Sequence, residues 1–192
     1  MSDGFQPGGR PPAPPPLDLV QDFVNTEIPD WDRDDIATAD ELGAWLEEHR
    51  LLADRTRVDG ATLAVAHDLR AALRDLALAN TLGEAVGRAR ATEIDATLAG
   101  FPLVVKLVEG APMPTSTAEG ALGGLGTLVA IMAEARLRGQ WERMKACRQE
   151  TCGWLFYDGS RNRSSSWCSM QICGGREKAR AYRRRAAGLP GA

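Results

Sequence analysis

All four cysteines of the 192-residue chain fall within 27 consecutive positions, as two pairs, Cys147-x4-Cys152 and Cys168-x4-Cys173, with fifteen residues between them. That clustering limits what the C-terminal quarter can become. A disulfide scaffold spreads its cysteines across a small secreted chain, whereas two close pairs separated by the length of a hairpin bring four thiolates to one point. Four sulfurs close a tetrahedral zinc shell and leave no position open, the geometry of a structural site and not of a catalytic one. The neighbours suit this. Gly153 permits a tight turn after Cys152, residues 154–157 (Trp-Leu-Phe-Tyr) read as a strand, Asp158-Gly159 is a turn signal, and Trp167 stands beside Cys168 to shield the second pair. A module of about 40 residues has too little core to fold unaided, so the ion is expected to supply much of its stability, on the order of 10 kcal/mol in comparable fingers.

The same stretch is basic in a chain that is not. The formal net charge is −3, yet residues 136–185 hold 13 Lys/Arg against 4 Asp/Glu, a net of +9, leaving 10 against 22, or −12, for the rest. An acidic body with a basic end predicts that one part alone contacts a polyanion. After Cys173, Arg176, Arg180 and Arg184 recur at i, i+4 and i+8, one row on a helix, with Arg183 adjoining it and Lys178 in the same segment. Arg161, Asn162 and Arg163 occupy the loop between the pairs. Held rigid by zinc, these groups would form a ridge able to contact phosphates and to reach a guanine edge in the major groove of double-stranded DNA.

Upstream, residues 1–16 contain Pro11, Pro12, Pro14, Pro15 and Pro16 and are expected to be a solvated, disordered leader, because so little apolar surface cannot offset chain entropy. Leu17, Val20, Phe23 and Val24 predict a first helix to about Thr26. Thr38 with Glu41 is a capping box ahead of Leu42, Trp45 and Leu46. Leu69, Leu73 and Leu76 mark a third helix between Gly60 and Leu82, and a shorter one is expected over 92–98. Residues 101–108 give the one strand signal before the cysteines, and the Glu-Gly-Ala-Pro break after them predicts a hairpin. Ser116 with Glu119 reads as a second capping box, opening a long helix to near Arg138. Its glycine-rich start, residues 120–126, lacks the Lys-Ser/Thr of a phosphate loop, so close helix packing is expected instead. His49 and His67 have no nucleophile partner, and Asp30, Asp32, Asp34 and Asp35 lack the glycine-interrupted spacing of a calcium loop. With no paired carboxylates, activated nucleophile or open metal site in view, an enzyme is not expected. The apolar runs fall short of the roughly 18 to 20 residues of a spanning helix, so no membrane segment is expected, and the absence of a basic-then-apolar start predicts a cytoplasmic protein.

The string Cys147-x4-Cys152-Gly-Trp-Leu-Phe-Tyr-Asp158-Gly-Ser-Arg-Asn162, followed by Trp167-Cys168-Ser-Met and Cys173-Gly-Gly-Arg176, resembles the CGNR zinc finger over about residues 140–185. In that family the N-terminal part is called the ABATE domain, and its members are described as stress-induced transcription regulators of bacteria. Leu17-Asp18-Leu-Val with Phe23-Val-Asn25-Thr26 is similar to the family's opening helix. The resemblance implies one structural zinc on Cys147, Cys152, Cys168 and Cys173, and turns Arg161, Asn162 and the 176–185 helix towards DNA. By resemblance, and by polarity amid apolar neighbours, Asn25, Thr26 and Trp31 are candidates to line a ligand pocket. Two departures stand out: Gly175 where the motif has Asn, and Ser165-Ser166 where members commonly have Arg-Arg. Two fewer cations should weaken phosphate binding and flatten its salt dependence.

The expected architecture is mainly α with a small β-hairpin: leader 1–16, a helical ABATE-like domain over 17–138, a hairpin-plus-helix finger over 139–187, and a tail, 188–192. The expected function is DNA-binding transcriptional regulation, with the helical domain sensing a small-molecule effector or a protein partner through the helix from Glu119 to Arg138. The alternative is a zinc-dependent interaction adaptor whose basic helix docks on an acidic partner or on its own body.

Overall fold

Apolar stripes at helical spacing become the elements from which the core is made. A computed structural model describes residues 6–53, 57–149 and 151–186, so the first five residues of the expected leader and the tail 188–192 lie outside the described residues. Helix α1 (Leu17–Val24) buries Leu17, Val20, Phe23 and Val24 and is capped by Asn25. Helix α2 (Ala39–Glu48) opens on the anticipated box: the Glu41 N–H donates to Thr38 Oγ1 at 3.3 Å and the Thr38 N–H to Glu41 Oε2 at 2.9 Å. Leu42 and Leu46 are buried, and Trp45 packs half-buried against Phe23. Helix α3 (Gly60–Leu82) starts on the Asp59 carboxylate, which accepts the Thr62 N–H at 2.8 Å, and ends at the left-handed Gly83. Helix α4 (Arg88–Ala99) begins four residues before Thr92 and buries only Ile94.

Helix α5 (Gly120–Leu137) runs through the centre, packed against α1, α2 and α3. It is the one described helix long and apolar enough to cross a membrane, which run lengths in the sequence did not indicate; half of it is buried inside the protein. Its glycines serve close packing, as expected. A Cβ on Gly124 would lie 2.5 Å from the Leu51 carbonyl, and one on Gly126 would strike the Ser116 hydroxyl. The second capping box does not form. Ser116 is the last residue of a strand, and its hydroxyl accepts the Ala118 N–H at 3.2 Å, while Glu119 caps the helix without a side-chain bond.

Among the described residues, three separate antiparallel pairs complete the fold: β1 (Glu27–Ile28) with β2 (Arg33–Asp34), β3 (Leu103–Val108) with β4 (Ala111–Ser116), and β5 (Met144–Ala146) with β6 (Leu155–Tyr157). The β3–β4 register runs from Leu103↔Ser116 to Val108↔Ala111, closed by Glu109 and Gly110, both at positive φ (50° and 83°), the two-residue turn whose twist matches a hairpin. β1, β2 and β5 are two or three residues long, too short to leave a period-two signal. They are placed by side chains from α3. Arg70 forks onto Asp34 at 2.6 and 2.7 Å, and Arg74 reaches Glu27 Oε2 at 2.5 Å and the Val24 carbonyl at 2.9 Å.

Only residues 138–140 and a turn at Trp141–Arg143 separate α5 from β5. β5 lies along α3, where Asn80 donates to the Trp141 and Met144 carbonyls (2.8 and 2.9 Å) and Thr81 to the Ala146 carbonyl (2.7 Å). Met144, Ala146 and Leu155 therefore belong to the same core as Phe23, Leu69 and Leu128. A second cluster gathers Ile28, the four cysteines, Trp154 and Phe156, with Trp167 against it.

The leader differs from expectation over residues 6–16. It carries few apolar groups, but its polar ones find buried partners. The Gln6 amide oxygen accepts the Trp154 indole N–H at 3.2 Å, and the Ala13 N–H donates to Gln21 at 2.7 Å. Arg10 donates to the Cys168 and Trp167 carbonyls (2.8 and 3.1 Å) with its guanidinium 4.7 Å above the Phe156 ring. Gly8, at φ 74°, abuts Ser169 where a Cβ would stand 3.0 Å from its hydroxyl. This strap lies across the cysteine module.

Candidate metal centre and basic helix

The first cysteine pair is built on the β5–β6 hairpin. The Cys147 N–H donates to the Trp154 carbonyl at 2.9 Å, and the Cys152 and Gly153 N–H groups converge on the Gln149 carbonyl (2.9 and 3.2 Å). Gly153 takes φ 58° and rests on Arg74, whose Cδ would be 3.1 Å from an added Cβ, so the turn needs glycine for its conformation and its clearance. Behind it, β6 is gripped by α1. Asn25 donates to the Leu155 carbonyl at 2.9 Å and accepts the Leu155 N–H at 2.8 Å, with Gln21 adding a second donor to that carbonyl. Of the second pair, Cys173 stands on a π-helical turn, Met170–Gly174, and Cys168 just before it; the turn is started by Ser169, whose hydroxyl accepts the Ile172 N–H at 3.3 Å. That turn runs directly into α6 (Gly175–Ala186).

All four cysteines are buried and unbridged, and their sulfurs lie within 4.8 Å of one another. Cys152 to Cys168 is 3.7 Å and Cys168 to Cys173 is 3.6 Å, far beyond a disulfide. A zinc ion about 2.3 Å from each of four tetrahedral sulfurs gives edges of about 3.8 Å, so the donor set fits the ion. The electrostatics of the four thiols suit one. Thiol hydrogen bonds from Cys152 and Cys168 push Cys147 down, and the same contacts with Cys147 push Cys152 and Cys168 up; burial raises Cys173. Without a cation the cluster accommodates one thiolate comfortably, and a dication removes that limit. Backbone N–H groups of Gln149 and Cys168 already point at the Cys147 sulfur, and that of Trp154 at Cys152.

Between the pairs, the organising residue is one the sequence presents only as a turn former. Asp158 is fully buried and accepts from the Ser160 hydroxyl (2.6 Å), the Ser165 N–H (2.9 Å), the Ser165 hydroxyl (3.0 Å) and Lys145 (3.1 Å). Burial alone would raise its pKa, but these donors outweigh it and hold the carboxyl well below the usual range. Lys145, itself buried, also donates to the Arg163 and Ser165 carbonyls. The pair fixes the loop that exposes Arg161, Asn162 and Arg163. Its carboxylate and lysine are 13 positions apart, the lysine on β5 and the carboxylate just past the end of β6, so local spacing gives no hint of it.

Helix α6 buries no side chain. The anticipated row is in place but carries carboxylate partners: Arg176 with Asp30 at 2.6 Å, Arg180 with Glu177 at 3.2 Å, and Arg184 with Glu177 at 3.3 Å; Arg180 also donates to the Gln149 amide oxygen at 3.3 Å. Lys178, Arg183 and Arg185 are exposed and enter none of the described ion pairs. A Cβ on Gly175 would meet nothing nearer than the Met170 carbonyl at 3.7 Å, so the asparagine usual there could be housed.

Asn25, Thr26 and Trp31 do not converge on a pocket. Asn25 is spent on Leu155, and the buried Thr26 donates to the Phe23 carbonyl at 2.7 Å and accepts from Arg70 at 3.1 Å. Trp31 is half exposed and tilted against Trp154, ring centroids 6.1 Å apart, beside the cysteine cluster. The histidines are structural: His49 stacks on Trp45 and bonds its carbonyl at 2.7 Å, and His67 bonds the Ile36 carbonyl at 2.9 Å.

Two family models match the chain. That of ABATE, described as "Putative stress-induced transcription regulator", covers residues 17–140, and that of the CGNR zinc finger covers residues 143–186. No curated protein matches it. The finger match and the sulfur cluster agree on Cys147, Cys152, Cys168 and Cys173 as the site of one structural zinc.

Proposed function

Because the chain belongs to the ABATE family and ends in a CGNR zinc finger, we propose that it is a DNA-binding transcriptional regulator, not an enzyme, whose zinc-held module presents cations to the phosphate backbone. The supporting observation is the placement of Arg161, Arg163, Lys178, Arg183 and Arg185. All are exposed, and they sit on a loop and a helix that leave the same metal site. Asn162 shares the loop and could read an adenine edge. Arg176, Arg180 and Arg184 would exchange their carboxylates for phosphates on binding. The helical part orients the finger, since β5 and β6 are seated in its core, and an effector or protein partner held there would reach the finger through α5 without a linker.

The test is fluorescence anisotropy of the zinc-loaded full-length chain on random duplexes across salt concentrations. Arg161→Glu with Arg183→Glu should weaken binding at least tenfold and reduce the salt slope by about 0.9 for each phosphate no longer neutralised, with zinc content unchanged. Equal binding by variant and parent would reject the role. The Arg176–Asp30 pair favours a second reading, in which the basic helix docks on carboxylates of a protein partner. A partner retained on the immobilised chain after nuclease treatment, together with no duplex affinity, would establish that adaptor role instead.

A further inference from the structure

We infer that the β3–β4 hairpin is a dimerisation element, in which β3 pairs with β3 of a second copy of this chain around a two-fold axis at Val105. The hairpin has two edges of opposite character. Pro112 and Pro114 on β4 face Leu107 and Val105. The two-residue turn makes Val108↔Ala111 a hydrogen-bonded pair, and alternation assigns Lys106↔Met113 and Val104↔Thr115 to the same class. The prolines thus occupy positions whose nitrogens point away from β3, and they remove the donors from the outer edge of β4. The outer edge of β3 carries no such block. Leu103, Val105 and Leu107 direct their N–H and C=O groups outward, and among the described residues no strand meets them.

The side chains point to the same edge. Val105 is 74% and Leu107 78% exposed, with Val104 and Val108 at 40% and 47% on the opposite face of the strand. Val105 and Leu107, neighbours on one face, expose on the order of 250 Å² of apolar surface, and Val104 and Val108 add a smaller apolar strip on the other. Pairing at this edge adds main-chain hydrogen bonds to the apolar contact, the way an open sheet edge takes up a further strand. Charge bears on the register. A two-fold at Val105 sets Leu103 against Leu107 of the copy and Lys106 against Val104, all compatible, whereas a shift of one residue would oppose the two Lys106 ammonium groups. Self-pairing also terminates itself, because only the proline-blocked β4 edges face outward in the resulting four-stranded sheet.

Sedimentation velocity on the zinc-loaded full-length chain over a concentration series tests this without DNA, and so independently of the proposed function. A monomer–dimer equilibrium is expected. Val105→Pro, which deletes only an outward N–H opposite an existing proline, should shift it at least tenfold towards monomer with unchanged circular dichroism. Pro112→Val with Pro114→Val should yield species larger than a dimer. A parent that stays monomeric at its highest soluble concentration, or a dimer indifferent to Val105→Pro, would overturn the inference.

Discussion

The helical body and the cysteine module reach order by different means. The body buries Phe23, Leu69, Leu73, Leu125 and Leu128 completely, and its polar network serves to seat short strands on α3. The module's second cluster is four sulfurs with a few aromatics, and α6 buries nothing. One region is stable because apolar surface leaves water; the other is expected to depend on a cation joining its sulfurs. Yet the boundary does not follow the family boundary. β5 and β6 belong to the module by sequence and to the body by packing, so the conditional part starts at about Asp158.

Four measurements would sharpen or break that contrast. The largest effect is metal removal: chelation should cost on the order of 10 kcal/mol of module stability, and hydrogen exchange should rise across residues 158–186 while α1, α3 and α5 stay protected. Loss of protection everywhere at once would erase the distinction. Next, Phe23→Ala should destabilise the whole chain by about 3 to 5 kcal/mol in denaturant titrations, with stoichiometric zinc in the molecules that remain folded. Third, Asp158→Asn strands a buried Lys145 and should cost about 3 kcal/mol of module stability. Because the folded Asp158 carboxyl lies below its ordinary 3.8, its contribution is complete above that pH and fades as pH falls through and below it. At saturating zinc, the gap between parent and variant should therefore narrow only in that acid range. The smallest is Asn25→Ala, which leaves the Leu155 N–H and carbonyl short of partners; a loss of about 2 kcal/mol in thermal unfolding is expected, with metal affinity retained.

What the sequence discloses is local. The limits of α3, the Thr38 box and the cysteine set all depend on residues a few positions apart, and each is in place. What it withholds is long range. Arg10 reaches Cys168 and Gln6 reaches Trp154 across some three-quarters of the chain, so a proline-rich segment that looks solvated by composition becomes a strap. Asn25 and Thr26 attract notice as polar residues among apolar ones, but their partners are the chain's own backbone and Arg70. Helical spacing places Arg176, Arg180 and Arg184 on one row, and says nothing of Asp30, brought beside that row by tertiary folding.

The grip of Asn25 and Gln21 on Leu155 has a consequence for how such chains can be recombined. A finger whose strand is seated inside its neighbour cannot be transplanted as a cassette: cut away at residue 143, it would expose Met144 and Leu155 and leave α3 bare. Fusion engineering, and any natural shuffling, must move both halves together or rebuild the seat.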